Sequence, residues 1–90
     1  MCRNIHTLFN FDPPATGHEV RSAAEQYVRK VSGFTKPSRA NEDAFASAVD
    51  EVAAATTRLL GELVTSAAPR DREIEAERAR ERAKKRFATA

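Results

Sequence analysis

Apolar residues recur along this chain at the spacing of an α-helix in two places. Val20, Ala23, Ala24, Tyr27, Val28 and Val31 follow one another at alternating steps of three and one, which places them on a single face. Thr16 stands just ahead of them with Glu19 three residues on, the pattern of a capping box in which each side chain satisfies a backbone N–H of the open first turn. Ser32-Gly33 closes the stripe, and glycine suits the left-handed residue that ends many helices. These signals predict a first helix over 16–32. Phe45, Val49, Val52, Thr56, Leu59 and Leu63 repeat at steps of four and three, with Ala48, Leu60 and Val64 widening the stripe. Asn41 is a suitable cap, and Glu42 and Asp43 put negative charge where the helix dipole is positive. The prediction is a second helix over 41–66, about 35–40 Å long at 1.5 Å per residue. Gly61 interrupts it at a cost of about 1 kcal/mol.

The two ends of the chain read differently. In the first fifteen residues, Ile5, Leu8 and Phe9 share a helical face, whereas Ile5, Phe9 and Phe11 share a strand face, and so short a run favours neither. Asp12-Pro13-Pro14 breaks any regular element there. The two phenylalanines are expected to tuck under the helices. Beyond Ala67-Ala68-Pro69 the pattern gives way to charge. A third helix over 71–87 has Ile74 and Phe87 as its only large apolar residues, and Glu75–Arg78, Glu77–Arg80 and Glu81–Lys85 pair at helical spacing. With little to bury, it is expected to be partly detached. The fold class that follows is all-α: one three-helix domain over 1–90, with an irregular N-terminal segment and antiparallel packing of the first two helices.

Composition narrows the setting. A hydrophobic share of 41% beside a charged share of 31% describes a folded domain with a charged surface. One cysteine, Cys2, excludes an internal disulfide and points to a reducing compartment. There is no secretory leader and no apolar run of about 20 residues, so a cytoplasmic protein with no membrane partner is expected. Charge is segregated: residues 1–40 balance to +3, 41–69 to −4 and 70–90 to +3. Such blocks help segments pack against one another, a simpler reading than nucleic-acid binding.

Three groups of residues carry possible chemistry. Removal of Met1 would leave a free amine beside the Cys2 thiol, with Arg3 and Asn4 next to it and His6 four residues on. That set offers a nucleophile or weak metal ligands in Cys2 and His6, against the alternative that both are structural or solvated. His18 is a further conceivable ligand, more simply a solvated residue. Arg29, Lys30, Phe34, Lys36 and Arg39 surround the turn after the first helix, where four cations and an aromatic suit phosphate contact and base stacking. Alternatively, Phe34 plugs the end of the bundle. The Arg/Lys content of the third helix is offset by an acidic row at Glu73, Glu77 and Glu81. No phosphate-binding loop, nucleophile elbow or zinc-protease motif is present, so no catalytic residue and no cofactor is nominated. The leading expectation is a non-enzymatic interaction module for a protein or, less favoured, a nucleic-acid partner, with self-association possible. A small enzyme or metal-binding protein built on Cys2 is the alternative.

The opening Met1-Cys2-Arg3-Asn4-Ile5, Leu8-Phe9-Asn10-Phe11-Asp12-Pro13-Pro14-Ala15-Thr16, Tyr27-Val28-Arg29-Lys30-Val31-Ser32-Gly33-Phe34, Lys36-Pro37-Ser38 and Ala40-Asn41-Glu42 together resemble a small bacterial family catalogued as domain of unknown function 2277. The resemblance spans nearly the whole chain. It implies a bacterial cytosolic protein and no particular activity. Family members often carry another basic residue where this chain has His6, which counts against a metal role there.

Overall fold

The computed structural model describes residues 4–88. The order of elements is β1 (Phe11–Asp12), α1 (Gly17–Ser32), a 3-10 turn (Arg39–Asn41), α2 (Glu42–Glu62), β2 (Arg70–Asp71) and α3 (Arg72–Ala88). The protein is mostly helical, and its three helices account for the all-α class.

Local chemistry explains where α1 begins and ends. Thr16 Oγ1 accepts from the Glu19 N–H at 3.2 Å, and the Glu19 carboxylate accepts from the Thr16 N–H at 3.1 Å, so the capping box is complete. Gly33 takes φ +81° and donates its N–H to the Arg29 carbonyl. Arg21, Glu25 and Arg29 form a ladder of ion pairs along the exposed side of α1, and Arg21 also reaches Asp50 on α2 at 3.0 Å.

Two details of α2 differ from the sequence reading. Asn41 sits at the N-cap without capping. Its amide donates to the Ser38 hydroxyl at 2.8 Å instead, holding the 3-10 turn that leads into the helix. The helix also stops at Glu62, with Leu63 already extended, rather than continuing to residue 66. Gly61 lies in this last turn, where its poor helix propensity meets a stretch, 61–71, that is exposed throughout.

The core is thin. Val20, Ala24 and Val28 of α1 and Val49 of α2 are its buried residues, with Phe45, Ala48, Val52 and Ala53 half-covered around them. Burying each valine is worth roughly 1.5–3 kcal/mol, so four small side chains make a modest core. Gly17 and Val20 at the start of α1 face Thr57, Leu60 and Gly61 at the end of α2, so the two helices run antiparallel.

The N-terminal segment is the largest surprise. Phe11–Asp12 pairs in parallel with Arg70–Asp71, a two-residue ladder joining positions 59 apart in sequence. Asn10 turns the chain into it at φ +63°, and the Asn10 amide donates to the Ala67 and Ala68 carbonyls. Asparagine tolerates this left-handed geometry better than most residues. Phe9 and Phe11 are both half-buried, and both line a hollow shared with Val20 of α1 and Leu60 of α2. The Phe11 ring lies under the guanidinium groups of Arg70 and Arg72 at 5.8 and 5.4 Å. Asp71 then caps α3 by accepting from the Ile74 N–H at 3.0 Å.

Candidate functional site

The N-terminal segment runs back along α1 and is fastened at both ends. At one end the Asn4 and Ile5 N–H groups both donate to Gln26 Oε1, at 2.7 and 3.1 Å. At the other, the β1–β2 ladder and the Arg70 N–H, which donates to the Asn10 carbonyl at 2.7 Å, hold it to the start of α3. The span between them, Ile5 to Phe9, crosses the helix pair and helps to line several hollows, two of which bear on function.

The first is an apolar groove of about 370 Å³. Ile5, Leu8 and Phe9 form one wall, Ala23, Ala24 and Tyr27 of α1 the floor, and Val52, Leu59, Leu60 and Leu63 the far wall. Tyr27 is 49% exposed and Leu59 54%, although both belong to the helical stripes that supply the core. Thr56 also lines the groove, but its hydroxyl already donates to the Val52 carbonyl at 2.7 Å within the helix. No Asp, Glu, Lys or Arg lines this groove. Burying such a surface therefore desolvates no formal charge.

The second hollow, about 310 Å³, lies between the segment, α1 and α3, and its mainly apolar lining includes Glu19, Arg72 and Glu75. Its centre is an ion pair. Arg72 donates to Glu19 from both terminal nitrogens at 3.0 and 3.1 Å, and its Nε donates to the Pro13 carbonyl at 2.6 Å. The hydrogen bond from Arg72, then that from the Thr16 backbone, holds the Glu19 carboxyl below its ordinary pKa. Arg72 thus uses all three of its nitrogens in the chain's own contacts, and the arrangement latches α3 to α1.

The residues singled out from sequence are dispersed. Cys2 and Arg3 lie outside the described residues. Asn4 is pinned to α1 one turn before Lys30. His6 is exposed and sits on the rim shared by both hollows, its Nδ1 3.1 Å from the Thr7 carbonyl. Among the described residues no group of three His, Cys, Asp or Glu side chains could hold a metal ion. Around the α1–α2 connection Lys30, Phe34, Lys36 and Arg39 are exposed, and Arg29 pairs with Glu25 at 3.5 Å. Phe34 does not plug the bundle end. Sequence reasoning missed Gln26, Asn10 and Arg72. Each acts through contacts with residues 21 to 60 positions away, and nothing in the local pattern marks them.

The fold and its hollows define a small helical protein with an apolar groove. The chain belongs to the family described as uncharacterized conserved protein (DUF2277), whose model matches residues 1–78. The match takes in the N-terminal segment, both groove-forming helices and the Arg72 latch, and it stops within α3. No curated protein and no solved structure matches the chain.

Proposed function

We propose that this protein is a non-enzymatic interaction module that binds a protein partner through the groove between the N-terminal segment, α1 and the end of α2. The observation that supports this is the uncharged lining of that groove together with its half-exposed Tyr27, Leu59 and Leu63. A contiguous apolar patch left open on a small protein is the ordinary signature of an interaction surface. Aromatic and leucine anchors in a shallow hollow fit an amphipathic helix better than a small polar metabolite. The cations Lys30, Lys36 and Arg39 around the α1–α2 connection are exposed, and the single cysteine is in keeping with a cytoplasmic setting.

Site-specific photocrosslinking tests the reading. A benzophenone amino acid in place of Leu59 is expected to give a covalent protein adduct in cells, and one in place of Lys84 on α3 to give none. Absence of any adduct from position 59 overturns the proposal. A gel-shift titration with generic DNA and RNA across salt is expected to show no retardation. Retardation at low salt that fades as salt rises would move the function to the cationic loop.

A further inference from the structure

The surface of this chain is too large for its mass. A compact folded monomer of 9.9 kDa exposes about 5,200 Å² by the usual scaling. This one exposes 7234 Å². The excess, about 2,000 Å², is larger than the roughly 800 Å² that each partner covers in a standard interface. The shape shows why. The radius of gyration is 16.1 Å, where a compact chain of this length has about 12 Å. The molecule measures 46 × 38 × 15 Å, so it is flat and extended rather than compact. Stable domains bury their apolar faces between packed layers, and here Tyr27, Leu59 and Leu63 on the helix pair stay half-exposed.

Resting on the interaction reading above, we infer that the partner is a second copy of this chain, docked groove to groove in a two-fold dimer. A two-fold contact sets a patch against itself, so any net charge on the patch would face its own sign. The groove carries no Asp, Glu, Lys or Arg and meets that condition. The contact also needs both a projection and a recess on the same patch. Tyr27 and Leu59 project, 49% and 54% exposed, beside a floor made of the small side chains Ala23 and Ala24.

Sedimentation equilibrium of the full chain tests this. The expected mass is twice 9.9 kDa at concentrations near 100 μM, the range in which a micromolar dimer is fully formed. L59D and Y27E, each at a half-exposed position that tolerates a polar group in the monomer, are expected to sediment as single chains with unchanged helical circular dichroism. K84E on α3 is expected to remain dimeric. A wild-type protein of single-chain mass up to about 1 mM overturns the inference, and so does a dimer that both L59D and Y27E leave intact. The crosslinked adduct from position 59 separates this inference from the broader one. An adduct of two identical chains supports both, an adduct with a different protein overturns the dimer alone, and no adduct overturns both.

Discussion

Arg72 holds Glu19 with two parallel hydrogen bonds of 3.0 and 3.1 Å, joining the first turn of α3 to the first turn of α1 across 53 positions of sequence. Glu19 is also the second half of the Thr16 capping box, so one carboxylate starts one helix and anchors another. The pair is about one-third exposed or less on each side, and two-point geometry makes it stronger than an ordinary surface ion pair. Arg72→Ala also removes the bond to the Pro13 carbonyl and the cation above Phe11. The expected cost is about 1–2 kcal/mol. Urea unfolding monitored by circular dichroism reads it, and hydrogen exchange is expected to quicken first in the opening turns of α3.

The same pair sets a pH dependence. The folded pKa of Glu19 is lowered, chiefly by Arg72, from an ordinary 4.5. A carboxyl with a depressed folded pKa contributes stability that is fully present above its unfolded pKa and is lost as pH falls through the folded value. Thermal melts are therefore expected to be level from neutrality down to about pH 5 and to fall below 4.5. Glu19→Gln keeps the capping box geometry without the charge, so this variant should start less stable at neutral pH and lose less on acidification.

Gln26 accepts from two consecutive N–H groups of the N-terminal segment and fixes the open wall of the groove. Gln26→Ala is expected to release residues 4–9, with the helices unchanged. Global stability should fall by only about 0.5–1 kcal/mol, since the bonds are half-open to water. Amide exchange of Asn4 and Ile5 should rise by at least about tenfold, the factor that 1.4 kcal/mol of local opening produces. If those amides stay as protected as in the wild type, Gln26 is not the fastener.

Gly33 ends α1 at φ +81°, with open space where a Cβ would sit. Gly33→Ala should therefore cost only the conformational penalty, about 1 kcal/mol. A chemical denaturation midpoint is expected to shift with no change in slope. A larger loss, or a changed slope, would mean that the turn carries contacts the structure does not contain.

Much of the helical skeleton is readable from local chemistry. Thr16, Glu19 and Gly33 act on backbone groups within four residues of themselves, so their spacing alone specifies what they do. The antiparallel pairing of α1 and α2 follows from two apolar stripes joined by a short turn. Asn41 shows the limit even at short range. It had two acceptable partners, the helix end and the Ser38 hydroxyl, and nothing in the sequence ranks them. Leu63 and Val64 continue the apolar stripe and so extend the sequence reading past the true end of α2, yet Leu63 is only partly covered and Val64 is 93% exposed.

By itself the sequence determined three helices, their polar faces and the family to which the chain belongs, because capping, periodicity and motif identity are properties of neighbouring residues. Only the tertiary structure decided that Phe11 pairs with Arg70, that Arg72 latches onto Glu19, that Gln26 fastens the N-terminal segment and that an uncharged groove opens beneath it. Those are meetings of groups 21 to 59 positions apart, and closing loops of that length costs entropy that no local pattern records.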